Sequence, residues 1–260
     1  MGLDKRLELA VAVCLAAAFS GPTAGAACPT PAEAISTDRP DVTNSSQVVP
    51  TGSLQVENGA DLSVRSGTRV LDGTNTRLRL GIANCLEVLV DLPSYAETLG
   101  AGGGSGFSDI APAVKHQLAP LPGDIDLAVT VGIGVPIAGR RDGHRDYEPY
   151  LQLPWSHELS AGWGISGMAT AFFHTGEDPH SILEPTFVVE RQLGNAADLF
   201  VEYVGDFPAG GHPTHLFNSG GAYRISSTQQ LDFHAGFGLN RGAADYIVGV
   251  GYSFRLDRLF

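Results

Sequence analysis

Apolar and polar side chains alternate along most of the chain beyond residue 50. The clearest case is the C-terminal stretch 243–260, AADYIVGVGYSFRLDRLF. From Tyr246 to Leu256 its even positions are apolar or aromatic, while its odd positions are mostly small or polar. A period of two predicts a β-strand with one apolar face. An apolar ladder that ends near a C-terminal aromatic, here Phe260, is typical of the closing strand of an outer-membrane barrel.

The same alternation predicts twelve strands in all. They cover residues 53–65, 74–82, 86–92, 108–118, 124–137, 147–155, 162–173, 182–192, 198–205, 215–225, 230–239 and 245–256. Connections after the even-numbered strands are short, and those after the odd-numbered strands are mostly longer, notably 94–106, 138–145 and 206–214. This is the connection pattern of bacterial barrels, with short periplasmic turns and longer outer loops. The predicted fold is therefore all-β, a single-domain transmembrane antiparallel β-barrel of about 12 strands over residues 51–260.

The N-terminus has the features of a signal peptide. Lys5 and Arg6 precede the apolar run 9–19, which is too short to span a bilayer, and 24–26 (AGA) provides a cleavage site. We therefore expect residues 1–26 to be removed on export, and the mature protein to lie in the outer membrane of a Gram-negative bacterium.

Residues 27–50 are polar and turn-rich, which predicts a periplasmic leader or a plug segment at the barrel mouth. Lipidation of Cys28 is an alternative to ordinary signal-peptide cleavage, but the leucine expected upstream of a lipidated cysteine is absent. Cys28 and Cys85 are the two cysteines of the mature chain, in an oxidising compartment. Because the topology places Cys85 in a periplasmic turn, we expect a disulfide that ties the leader to the barrel rim; two unpaired thiols are the alternative.

Composition and charge narrow the function further. Hydrophobic residues make up 43% of the chain, yet they are dispersed in alternation and form no later run long enough for a transmembrane helix. The net charge is −12, which makes nucleic acid a poor partner. The expected partners are outer-membrane lipid, small-molecule solutes and, through the C-terminal strand, the barrel-assembly machinery.

Three stretches resemble a family of outer-membrane transporters named for the phenol meta-degradation pathway. They are STDRPDVTNSSQVVPTGSLQVENG (36–59), LQLPWSHELSAGWGISGMA (151–169) and QQLDFHAGFGLNRGAADYIVGVGYSFR (229–255). The resemblance implies an outer-membrane barrel that works as a channel or transporter for small molecules, aromatic or hydrophobic ones among them. The chain runs a few residues beyond the YSFR-type ending of that family.

Strand parity predicts which charged residues line the lumen. The candidates are Arg77, Arg79, Asp91, Glu57, Glu87 and Asp126. Acids outnumber bases among the inward positions, which favours cations over anions in a water-filled pore. The alternative is that these charges pair across strands and fill the interior.

The sequence also bears on two other kinds of function, metal binding and catalysis. Five histidines lie in or beside the predicted outer loops, and imidazoles are common metal ligands; they are His144, His174, His180, His212 and His215. Loop histidines are more often solvated, so no metal site and no cofactor are expected. A barrel enzyme would need a serine in register with an outward histidine such as His116, and none is evident. A structural or adhesive barrel without transport remains the main alternative.

Overall fold

A computed structural model describes residues 28–100, 103–118, 120–137, 146–176 and 179–260. The predicted signal peptide and His144 lie outside the described residues. The strands are β1 (Leu54–Arg65), β2 (Thr68–Gly73), β3 (Arg77–Ala83), β4 (Leu86–Asp91), β5 (Tyr95–Leu99), β6 (Ser105–Phe107), β7 (Ala111–Gln117), β8 (Ile125–Gly134), β9 (Glu148–Glu158), β10 (Trp163–His174), β11 (His180–Leu193), β12 (Ala197–Pro208), β13 (Thr214–Ser226), β14 (Gln229–Gly238) and β15 (Tyr246–Leu256). One 3-10 turn covers Ser160–Gly162. Among these residues no helix is both long and apolar enough to cross a membrane.

Twelve of the strands form a closed antiparallel barrel. Each strand pairs with its neighbours in the order β1, β3, β4, β7 and then β8 through β15. The last strand returns to the first, with a register that runs from Leu54 opposite Leu256 to Val64 opposite Tyr246. Closure gives each of these twelve strands a neighbour on both sides, which suits a hydrocarbon environment because an open edge would expose unpaired backbone groups. The predicted twelve-stranded barrel is confirmed.

Strands β2, β5 and β6 lie in segments that the sequence predicted as loops. The first half of β1, residues 54–57, pairs with β3. Its second half, residues 60–65, which we call the upper half, pairs with β2. Strand β5 then pairs with β2, and β6 with β5. These strands extend the wall because the upper half of β1 has backbone groups that β3 does not reach.

Two prolines inside strands locally interrupt the ladders. The pairing of β8 with β9 skips from Leu127 to Thr130, beside Pro154. The pairing of β11 with β12 skips from Leu183 to Thr186, beside Pro185. A proline has no N–H to donate, so each strand continues through the proline at the cost of a gap on one side.

The barrel is polar inside and apolar outside. On β8, Thr130 points inward and is 2% exposed, whereas on β15 Val250 points outward and is 63% exposed. Charged side chains such as Arg79 and Lys115 are among the largest fully buried groups. An apolar outer band around a polar, charged interior is the arrangement that a lipid bilayer requires of a barrel.

Candidate functional site: the occupied lumen

Residues 35–50 lie inside the barrel, residues 30 and 32–34 before them are exposed, and we call the whole segment 28–50 the plug segment. Ile35, Val48 and Val49 are at most 4% exposed. The backbone N–H of Ile35 donates to the carbonyl of Ser227, at a short turn of the barrel. The segment therefore fills the lumen from the end that carries the short turns, which we call the turn end; the opposite end is the loop end.

Both ends of the plug segment meet the β3–β4 hairpin. A disulfide links Cys28 to Cys85, with Cα atoms 5.3 Å apart. After the plug segment, Gly52 donates its N–H to the carbonyl of Gly81 at 2.8 Å. A Cβ atom on Gly81 would overlap the carbonyl oxygen of Pro50, so this close approach needs a glycine there. The plug segment is thus a loop anchored at two points of one hairpin, and the disulfide in the mature protein stays a prediction that mass spectrometry can test.

Arg79 is the centre of an ion cluster between barrel and plug. Its guanidinium donates to Glu87 at 3.0 and 3.2 Å and to Glu57 at 3.1 Å. It also donates to two plug carbonyls, Ser36 at 3.2 Å and Gln47 at 2.9 Å. The side chains of Arg79, Glu57 and Glu87 have no solvent exposure. A planar fork with five donors suits this task, because one guanidinium can satisfy both carboxylates and the plug backbone.

Asp38 of the plug completes the cluster. Its carboxylate lies 3.2 Å from the Lys115 ammonium, and its backbone N–H donates to Glu57 at 2.9 Å. Burial alone would raise the pKa of the Asp38 carboxyl, but three surrounding cations hold that pKa below its usual range. These cations are Arg79, Lys115 and Arg77. Asp38 is therefore ionised where it sits, and its charge helps to hold the plug in the lumen.

Arg77 joins the barrel wall to the plug. It forms a bidentate pair with Asp91, at 2.6 and 2.9 Å. The same guanidinium donates to Asp38 at 3.0 Å and to the amide oxygen of Asn44 at 2.9 Å. Arg77 remains 23% exposed, since one side of it faces open lumen.

Glu202 holds the plug on the opposite wall. Its carboxylate accepts the backbone N–H groups of Val42 at 3.0 Å and Thr43 at 2.9 Å. The Thr43 hydroxyl and the Asn218 amide also donate to it, at 2.8 and 3.0 Å. Four donors satisfy a carboxylate that is 1% exposed, so no counter-ion is needed. Burial, and then the nearby Glu202 carboxylate, raises the pKa of Asp41 in the plug well above its usual range.

Arg39 fixes the plug to the seam of the barrel, where β15 meets β1. It lies 3.3 Å from Asp232, whose side chain is fully buried. A Cβ atom at Gly59 or Gly251 would overlap or crowd the Arg39 side chain. The two glycines therefore make room for an arginine that comes from the plug.

Three cavities lie along the part of the lumen that the described residues line. The outer cavity, at the loop end, measures about 760 Å³; the middle cavity measures about 310 Å³ and the inner cavity, at the turn end, about 540 Å³. Arg77 and Asp91 line both the outer and the middle cavity. Plug residues 39–41 line both the middle and the inner cavity. The plug segment is thus the barrier between the two ends of the lumen.

The structure places the six lumen candidates inside the barrel. Glu57, Arg79 and Glu87 lie in the buried cluster, Arg77 and Asp91 face the outer cavity, and Asp126 lines the inner cavity. Sequence analysis missed Asp38, because it lies in a segment without any periodicity. Within the described residues, no group of three or more His, Cys, Asp and Glu side chains is placed to hold a metal ion.

The chain matches one protein-family model and is similar to several solved structures. A family model described as "Putative MetA-pathway of phenol degradation" matches residues 37–256. An outer-membrane channel from Pseudomonas putida F1 is similar in structure, with a TM-score of 0.62 and 13% identity over 80% of this chain and 97% of that chain. The translocator domain of the autotransporter NalP from Neisseria meningitidis has a TM-score of 0.49 and 11% identity over 80% of this chain and 90% of that chain. No curated protein matches the sequence. At such low identity the first likeness shows the barrel fold alone.

Proposed function

The chain belongs to the family described as "Putative MetA-pathway of phenol degradation", and we propose that it is a plugged channel for small molecules, aromatic compounds among them. The protein is an outer-membrane β-barrel of a Gram-negative bacterium, with an apolar outer surface for lipid and a charged lumen. Transport is the function that such a lumen supports best.

The plug segment carries this proposal. It lies between the outer cavity at the loop end and the inner cavity at the turn end. Its residues 39–41 line both the middle and the inner cavity, and Arg77 and Asp91 of the wall line both the middle and the outer cavity. Movement of residues 38–44 out of the lumen would join these cavities into one route.

The proposed route prefers cations to anions. Arg77 and Arg79 are already paired with carboxylates, so they offer little positive charge to a passing solute. Among the described residues, six acids line the inner cavity, including Asp126, Glu158 and Glu190, against two arginines, Arg39 and Arg224. Rings of carboxylates favour cations in water-filled pores.

Transport is favoured over the two alternatives, catalysis and a structural or adhesive role. The polar clusters in the lumen are ion pairs and hydrogen bonds that hold the plug, and their carboxylates are already satisfied. We propose lipid as the surroundings of the outer surface and the barrel-assembly machinery as the partner of β15 during insertion. We propose residues 1–26 as a signal peptide, 27–50 as the leader that contains the plug segment, and 51–260 as the barrel.

Conductance in planar bilayers tests the proposal. The mature chain is compared with a variant that lacks residues 28–50 and carries Cys85→Ser, so that no unpaired thiol remains. We expect small conductance for the mature chain and a severalfold larger, cation-preferring conductance for the variant. Heat-dependent gel mobility checks that both barrels are folded. Absence of conductance in the folded variant contradicts a channel, and equal conductance in both proteins contradicts a plug.

A further inference from the structure

The Thr43 hydroxyl of the plug segment lies in a small pocket of the lumen wall, which we call the hydroxyl niche. It donates to the Glu202 carboxylate at 2.8 Å and lies 2.5 Å from the Thr186 hydroxyl. Because a hydroxyl has one proton and a carboxylate only accepts, Thr186 is the donor to Thr43. The Thr186 oxygen in turn accepts the backbone N–H of Met168 at 3.0 Å, which fixes its orientation. The niche therefore offers one acceptor and one donor to a single hydroxyl group.

Two more polar contacts follow along the plug segment. The Asn44 amide donates to the amide oxygen of Gln152 at 3.0 Å, and the hydroxyl groups of Ser46 and Ser156 lie 2.8 Å apart. Asn44 lines both the middle and the inner cavity. These contacts therefore lie where the plug segment separates the two ends of the lumen.

The wall holds its own polar groups in place without the plug segment. The Asn218 amide donates to Glu202 at 3.0 Å, and the Gln152 amide donates to Thr170 at 3.4 Å. The groups come from five consecutive strands, β9 to β13, whose pairing fixes their spacing. Each of the side chains of Gln152, Thr170, Thr186, Glu202 and Asn218 belongs to a residue that is at most 8% exposed. A surface whose groups are already oriented binds a partner at a lower entropic cost.

The inner cavity adjoins this surface. Its lining includes Ser156 of the wall, residues 43–46 of the plug segment and the Phe200 side chain. A Cβ atom at Gly220 would crowd the Phe200 ring, so the glycine leaves room for that ring. A volume of about 540 Å³, with an aromatic ring beside a few oriented polar groups, is typical of small-molecule sites.

We propose that the wall from β9 to β13 binds uncharged polyhydroxylated molecules, such as sugars of one or two rings, and that Thr43, Asn44 and Ser46 occupy this site while the lumen is plugged. A sugar hydroxyl in the niche satisfies both Glu202 and Thr186. An ammonium group only donates and would leave the Thr186 hydroxyl without an acceptor, whereas an anion is repelled by Glu202. The proposal deepens the proposed function, on which it rests, because it names a solute class for the channel.

Hydrogen exchange of the plug segment tests this on the mature chain, in a detergent that has no sugar headgroup. The probe is trehalose, and the control is fully O-methylated trehalose, which keeps both rings but has no hydroxyl donors. Since the Thr43 amide donates to Glu202, its exchange reports departure of the plug from the site. At about ten times its dissociation constant, trehalose should speed this exchange about tenfold, because it binds only the vacated wall. Equal effects of the two compounds overturn the proposal.

Variants of the full mature chain identify the niche. Thr43→Val keeps the side-chain shape and vacates the hydroxyl position, so saturation-transfer NMR should show tighter trehalose binding than in the unchanged chain. Adding Thr186→Val should weaken this binding about three- to tenfold. In that background the contact between Thr43 and Thr186 is already absent, so the second change acts on the solute. The control Ser63→Ala, which lines a different cavity, should leave binding unchanged. No loss of binding with Thr186→Val overturns the assigned niche.

Failure of the site and failure of the channel give different results. Ion conductance by the variant without the plug, together with no trehalose binding to the Thr43→Val chain, rejects the site and leaves the channel. Trehalose binding, together with no conductance by the folded variant without the plug, rejects the channel and leaves the site.

Discussion

Replacement of Arg79 by methionine should release the plug segment while leaving the barrel closed. Arg79→Met keeps much of the side-chain volume but removes the guanidinium. Glu57 and Glu87 then remain buried without their main counter-ion, and the Ser36 and Gln47 carbonyls lose their donors. When the plug leaves, water reaches these groups, so the substitution penalises the plugged state specifically.

The free-energy cost of Arg79→Met to the plugged state follows from the buried carboxylates that the substitution leaves unpaired. Removing one partner of a buried ion pair costs about 3–5 kcal/mol. Lys115 lies 3.7 Å from Glu87, and Gln55 still donates to Glu57 at 2.7 Å, so the lower end of that range applies. A cost of about 3 kcal/mol favours plug opening by roughly a hundredfold. The double variant R79M/E87Q removes one stranded carboxylate and should recover part of this loss.

Hydrogen exchange with mass spectrometry measures the effect on the mature chain. The amides of Thr43, Val48 and Val49 donate to barrel side chains, so their exchange reports plug opening. We expect these amides to exchange roughly a hundredfold faster in R79M, with strand β8 unchanged. Arg224→Met, which breaks a more exposed ion pair within the barrel wall, to Asp198, is the control and should have a much smaller effect. Unchanged plug exchange, or equal acceleration in β8, would refute the reasoning.

Three further predictions follow from the same structure. Val129→Arg, on the lipid face, should cost about 2–4 kcal/mol of barrel stability in denaturant unfolding, whereas Ser166→Arg, facing the acidic inner cavity, should cost much less; equal costs would contradict the assigned faces. Non-reducing mass spectrometry of the mature protein should yield a peptide that links Cys28 to Cys85, and two freely alkylated thiols would end that prediction. Burial and then the nearby Glu202 carboxylate raise the pKa of Asp41, so the contribution of Asp41 to the stability of the plugged state is largest at low pH and is lost as pH rises through that pKa. Conductance should therefore increase with pH, and Asp41→Asn should weaken that dependence; an identical pH profile in the variant would exclude Asp41 as the cause.

The sequence by itself determined the barrel. The face of the sheet on which a side chain lies is set locally, because successive side chains of a strand point to opposite sides. Parity alone therefore placed Val129 and Val250 on one side and Thr130 on the other. The same alternation predicted the number of strands, and the connection lengths predicted the end at which Cys85 lies. The interrupted ladders beside Pro154 and Pro185 show that alternation predicts a strand even where a proline weakens it.

Only the tertiary structure decided what fills the lumen. Parity turns Arg79, Glu57 and Glu87 inward, but their partnership depends on the register in which β1, β3 and β4 pair. Asp38 belongs to a segment whose contacts lie on strands far apart in sequence, so no local pattern marks it. The strands β2, β5 and β6 likewise exist because the upper half of β1 needs partners that β3 does not supply. Barrel closure brings residues that are distant in sequence together in the lumen. Buried charges need hydrogen-bond partners, and this need selects one arrangement of plug and wall among those that the same alternation allows.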